Sequence, residues 1–140
     1  MTQIAAAIGR IHLIMIPSTD PDRTIAFYEA LRFTTRADFP FGDRARWVEL
    51  FPPDGTAGLA LAPGEPEATG IDTGLILTTD DIDALHAELR DRGVEVDAHV
   101  ARPGGDVTIR LGTADITGPD PAMFRLRDPD GNALIVVQPS

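Results

Sequence analysis

Three side chains are equipped to do chemistry on a small molecule: Trp47, Glu49 and Arg125. An indole offers a flat apolar surface for stacking, a carboxylate accepts or abstracts a proton, and a guanidinium can hold a developing oxyanion. There is no cysteine, which excludes disulfides, thiolate metal sites and cysteine nucleophiles together. The three histidines, His12, His86 and His99, make no HxH or HxxxH pair and are a poor basis for a metal site. His12 reads as a structural residue near a strand end beneath a helix, His86 as a solvated helix position, and His99 as a strand-surface residue. Plain structural readings stand beside the chemical ones. Trp47 can fill a sheet interface, and Glu49 and Arg125 can pair with each other.

The elements that would position these residues follow a repeated order. Residues 11–17 (IHLIMIP) form a strand candidate ended by proline, and Ser18-Thr19-Asp20 then caps a helix with Pro21 in its first turn. Ile25, Phe27, Tyr28 and Leu31 recur at helical spacing. Strands are expected at 33–38, 45–51 and 58–62, separated by turn-rich residues 39–44 and 52–56. The second half repeats this pattern. A strand at 74–79 leads into the cap Thr79-Asp80-Asp81, a helix with the stripe Ile82, Leu85 and Leu89, and a stop at Gly93. Strands are expected at 94–101, 123–127 and 133–137, with the turn Asp128-Pro129-Asp130-Gly131-Asn132 between the last two. Residues 107–111 offer one further short strand, in a Gly- and Pro-rich stretch whose order the sequence leaves open.

The reading is therefore an α+β domain at residues 8–138, made of two βαβββ modules, 8–63 and 71–138, joined by a linker at 64–70. Each helix covers one face of its own sheet, so the other face must find a partner. Two such faces, curved by sheet twist, would enclose a cleft. A net charge of −10 in 140 residues argues against nucleic acid and anionic membranes as partners. No apolar stretch approaches the roughly 20 residues of a membrane span, and the N-terminus has no secretory pattern, so a cytoplasmic location is expected.

The chain resembles the vicinal oxygen chelate superfamily of glyoxalase I, extradiol dioxygenases, fosfomycin-modifying enzymes and bleomycin-resistance proteins. The resemblance rests on Asp20, on Arg23-Thr24-Ile25-Ala26-Phe27-Tyr28 with Leu31-Arg32-Phe33, and on Phe124-Arg125-Leu126-Arg127-Asp128-Pro129-Asp130-Gly131-Asn132. It implies the glyoxalase/bleomycin-resistance/dioxygenase-like fold of curved mixed sheets. One departure is Arg32, where the family often has glycine after the first helix. The larger departure concerns metal. The positions at which metal-bearing members place His, Gln or Glu fall on Leu13, Ala60, Gly74 and Ile135, and none of these side chains binds a divalent cation. No cofactor is therefore expected.

Strand alternation supplies the wall that would face a ligand. Leu13 and Met15 lie opposite His12, Ile14 and Ile16, while Trp47 and Glu49 lie opposite Val48 and Leu50. Met123 and Arg125 lie opposite Phe124 and Leu126, and Gly74, Ile76, Thr78, Ile135 and Val137 complete the set. The ligand-binding residues expected are thus Leu13, Met15, Trp47, Glu49, Ile76, Met123, Arg125 and Ile135. This mainly apolar wall suits an aromatic or partly apolar small molecule. Two functions follow. One is a metal-free binding protein of the antibiotic-sequestering or ligand-delivery type. The other is an enzyme (a lyase, isomerase or dioxygenase) with Glu49 as base or with off-pattern ligands such as His12, Glu49 and His99. A homodimer is the expected assembly.

Overall fold

The computed structural model describes residues 1–43 and 45–139. An aspartate starts each helix. Asp20 caps α1 (Pro21–Ala30), its carboxylate accepting the Arg23 N–H at 3.3 Å, and Pro21 sits where its missing N–H is no loss. Asp81 caps α2 (Ile82–Asp91) in the same way, accepting from the Ala84 N–H at 3.1 Å. The strands are β1 (Leu13–Ser18), β2 (Thr34–Phe41), β3 (Ala45–Phe51), β4 (Gly58–Pro63), β5 (Asp72–Thr78), β6 (Thr108–Leu111), β7 (Ala114–Thr117), β8 (Ala122–Arg127) and β9 (Ala133–Gln138). The chain divides into two units, Met1–Pro63 and Gly64–Ser140.

In the first unit the sheet order is β1-β4-β3-β2, with β1 parallel to β4 and the other pairs antiparallel. Ile16, Val48, Leu50, Leu59 and Leu61 form its buried layer with Tyr28 of α1. The expected helical stripe is present but is not the deepest part of α1. Thr24 and Tyr28 are fully buried, whereas Ile25, Phe27 and Leu31 are half-buried. A threonine reaches the core because its hydroxyl bonds Ser18 Oγ at 2.7 Å and the Asp20 carbonyl at 3.1 Å, leaving no polar atom unpaired. A second clamp joins three elements. Arg46 on β3 donates to Asp38 on β2 at 3.1 and 2.8 Å, and to Asp22 in the first turn of α1 at 2.8 Å.

In the second unit the order is β5-β9-β8, with β5 parallel and β8 antiparallel to β9. The continuous strand expected at 94–101 is replaced by two isolated bridges, Val96 to Leu126 and Ala101 to Met123. Asp97 breaks the ladder there, because its carboxylate takes the Arg125 N–H at 2.9 Å while its own N–H donates to the Arg125 carbonyl. The single strand expected at 107–111 is one half of a hairpin, β6–β7. The turn between β8 and β9 ties the sheet to its first strand. Asp128 accepts from the N–H groups of Asp130 and Asn132, and the buried Asn132 accepts from those of Gly70 and Ile71.

His86 corrects the sequence reading. It is not solvated but 8% exposed, on the inward face of α2 between Ile82 and Leu89. Its Nε2 lies 2.7 Å from the Asp97 carbonyl and its ring packs edge-on against Phe124 at 5.0 Å. Hydrogen bonding to the irregular 94–101 segment makes the buried imidazole tolerable, and the spacing along α2 could not show that partner.

The two helix ends differ in one instructive way. Gly93 follows α2 at φ 79°, a position glycine fills without strain, whereas Arg32 follows α1 at φ 72°. Arg32→Gly is expected to raise stability by about 0.5–1 kcal/mol, and Gly93→Ala to lower it by about 1 kcal/mol, read from urea denaturation midpoints. Hydrogen bonding to Arg46 holds the Asp38 carboxyl below its ordinary 3.8. A depressed carboxylate stabilises the fold above that value and ceases to do so as pH falls through its folded pKa. Asp38→Asn should therefore lower stability slightly near neutrality and flatten its acid loss below pH 3.8, so that the two curves converge at low pH, as read from urea denaturation midpoints across pH.

Candidate functional site

In the first unit the sheet face turned away from α1 carries the sequence-predicted residues Leu13, Met15, Trp47 and Glu49. The register brings them together. Glu49 stands between Ala37 and Ala60, Ala60 pairs with Met15, Leu13 pairs with Gly58, and Trp47 pairs with Phe39. Ala37 and Ala60 are the small neighbours of Glu49, whereas the buried Phe51 ring lies against Gly58. Trp47 Nε1–H donates to Glu49 Oε2 at 2.6 Å, fixing the indole, and Phe41 packs beside it with ring centroids 5.7 Å apart. Among the described residues, no donor reaches Glu49 Oε1. Met15, Phe39 and Phe41 are 62%, 49% and 55% exposed. Phe39 and Phe41 flank the half-buried Trp47, while Met15 stands on β1 beyond Ala60 and Glu49 on the same sheet face. Isolated exposed apolar residues need no explanation, but several on one sheet face mark a candidate binding surface.

Phe39 and Phe41 were missed from the sequence because residues 39–44 read as a turn. The period-two run Ala37, Phe39, Phe41 was the available signal, obscured by Pro40. That proline is tolerated because β2 is an edge strand. Arg44, the last of that expected turn, lies outside the described residues.

In the second unit the corresponding residues are placed differently. Ile76 is 61% exposed, and Gly74 and Thr78 are exposed beside it on β5. Met123 and Ile135, at 6% and 7%, are buried together with Val137 beneath Ile109 of the β6–β7 hairpin. Arg125 is held by Asp72 at 3.8 Å and by the carbonyl of Arg110, to which its Nη2 donates. Glu49 and Arg125 thus each have a partner inside their own unit.

The histidines do not assemble a site. His12 is exposed and precedes β1, not beneath the helix as expected, with its ring 6.2 Å from that of Phe51. His99 is exposed and lines, with Asp83, His86, Arg90 and Arg102, a surface depression of about 530 Å³. Arg102 donates to Asp83 there at 2.6 Å and holds its carboxyl below the ordinary value. Among the described residues no group of three or more His, Asp or Glu could hold a metal ion. The hydrocarbon side chains of Leu13, Ala60 and Ile135, and the bare Gly74, do not fit the ligand set of a divalent cation.

The sequence model of the Glyoxalase/Bleomycin resistance protein/Dioxygenase superfamily matches residues 10–136. The chain belongs to this superfamily. Its α+β fold of mixed sheets is that of solved members. TnmS3, an antibiotic binding protein from Streptomyces sp. CB03234, is 32% identical over 96% of this chain and 99% of its own, with a TM-score of 0.72. A superfamily member from Sphaerobacter thermophilus is 25% identical over 94% and 98%, with a TM-score of 0.71. A bleomycin resistance determinant encoded on the transposon Tn5 is 26% identical over 94% and 99%, with a TM-score of 0.57. Among curated proteins nothing matches.

If Glu49 fixes the indole, Glu49→Leu should leave the superfamily fold intact but lower stability by about 1 kcal/mol. It should also raise quenching of Trp47 emission by acrylamide and lower its anisotropy. Unchanged quenching would show that packing alone sets the ring.

Proposed function

We propose that the chain is a metal-free small-molecule binding protein of the antibiotic-sequestering type, working in the cytoplasm as a homodimer. The observation that carries this reading is the pair of exposed rings, Phe39 and Phe41, beside Trp47, with the Glu49 carboxylate fixed on the indole and exposed Met15 farther along the same sheet face. Such a surface suits a flat, partly apolar ligand. Trp47 and Phe41 offer aromatic contact area, and the spare lone pairs of Glu49 accept from a ligand hydroxyl or amine. Leu13 and Ala60 support the metal-free part, since they put hydrocarbon where a metal-bearing relative would offer oxygen or nitrogen. TnmS3 and the Tn5 determinant, named for antibiotic binding and bleomycin resistance, point to antibiotics as the ligand class to try first. Among the described residues no helix is long and apolar enough to cross a membrane.

Calorimetric titration with polycyclic aromatic and glycopeptide antibiotics should give micromolar or tighter binding for at least one class, with a change in Trp47 emission. Trp47→Ala should weaken that binding by about tenfold or more, the equivalent of ~1.4 kcal/mol of lost stacking and contact. Sedimentation should give twice the chain mass. Stoichiometric iron, manganese, nickel or zinc in protein purified without chelator would overturn the metal-free reading, and the absence of any millimolar binder would overturn the binding function.

A further inference from the structure

The sheet face away from α1 leaves Met15, Phe39 and Phe41 in solvent, whereas the matching face of the second unit is roofed by part of its own chain. The roof is the β6–β7 hairpin. It is entered through Pro103-Gly104-Gly105 and left through Gly118-Pro119, with Gly104 and Gly118 at φ 77° and 63°. Its hydrogen-bond ladder is internal, since β6 pairs with β7 alone in a separate two-stranded sheet. Lifting it would therefore break no bond of the β5-β9-β8 ladder. Among the described residues, what holds it down is one apolar row. Ile109, 3% exposed and flanked by half-buried Val107 and Leu111, packs on Met123, Ile135, Val137 and Ala101. The polar attachment is the Arg125 guanidinium donating to the Arg110 carbonyl. The outer strand β7 is exposed along its whole length. A segment anchored by so few contacts belongs to the part of a fold that opens without global unfolding.

We propose that this hairpin is a displaceable plug, with Ile109 filling an apolar binding surface made by Met123, Ile135 and Val137. Its natural displacer is a small molecule with an apolar body and an anionic or carbonyl oxygen. The body replaces Ile109, and the oxygen takes the place of the Arg110 carbonyl on Arg125. This rests on the small-molecule reading and deepens it: Met123, Arg125 and Ile135 belong to the wall expected from strand alternation, and the hairpin covers them.

The absence of cysteine makes the test clean. Met123→Cys puts one thiol under the plug, and Val136→Cys puts one on the helix-facing side of the adjacent strand, with Val137→Cys as a second reporter under the plug should the first not fold. Labelling by a disulfide reagent in urea below the unfolding transition should be about tenfold or more faster at residue 123 than at 136, with little urea dependence. Opening variants should widen that ratio. Ile109→Ala empties the plug, and Gly118→Ala forces a Cβ to within 2.9 Å of the Gly105 carbonyl oxygen. In the cysteine-free chain, Ile109→Ala should bind anilinonaphthalene sulfonate, an aromatic body with an anionic group, about tenfold more tightly than the parent, and adding Arg125→Gln should remove the gain. Equal labelling rates with equal urea slopes at both faces would overturn the plug. Fast labelling at 123 with no gain in dye affinity would overturn the binding surface beneath it. Neither result bears on the Trp47 titration, so the two readings can fail separately.

Discussion

A β-sheet with one helix has two faces and a cover for only one of them, and each unit of this chain must deal with the face left over. Exposing an apolar sheet face costs free energy in proportion to its area, about 25 cal/mol per Å². The two units answer the constraint differently. In the first, Phe51 covers Gly58 at one end of the face, while Met15, Phe39 and Phe41 stay in solvent. In the second, the chain turns back on itself and lays Ile109 over Met123, Ile135 and Val137. An uncovered face is available for a ligand, and a covered one is available only if the cover moves.

The polar groups near these faces are engaged so that they orient and do not float. Glu49 is bonded to the indole beside it, and Arg125 to Asp72 and the Arg110 carbonyl. Pre-set side chains of this kind lose less conformational entropy when a ligand arrives than free ones would. The same economy appears in the cores. Thr24 and His86 are polar residues at fully packed helix positions, and each is there because a specific oxygen meets it: Ser18 Oγ and the Asp20 carbonyl for one, the Asp97 carbonyl for the other.

Much of the architecture was legible in local chemistry. The aspartate caps with Pro21 in the first turn, the Gly93 stop, and the Asp128–Asn132 turn act within a few residues of chain, so residue type alone identified them. The face shared by Leu13, Met15, Trp47 and Glu49 was also readable, because alternation along a strand is a local property of the backbone. The resemblance to the superfamily, carried by the residues of the first cap and helix and by residues 124–132, is matched across residues 10–136.

What the amino-acid order determined, then, is which elements form, which residues share a strand face, and that hydrocarbon occupies Leu13, Ala60 and Ile135. Tertiary structure alone decided whether those faces are open. Nothing within residues 107–111 reveals that Ile109 will lie on Met123 and Val137, because that contact joins segments far apart in the chain. His86 makes the same point: helical spacing put it beside Ala84 and Glu88, but its burial depends on Asp97 and Phe124 arriving from other elements. Periodicity reports the direction a side chain takes from its own backbone, and only packing supplies what it meets there.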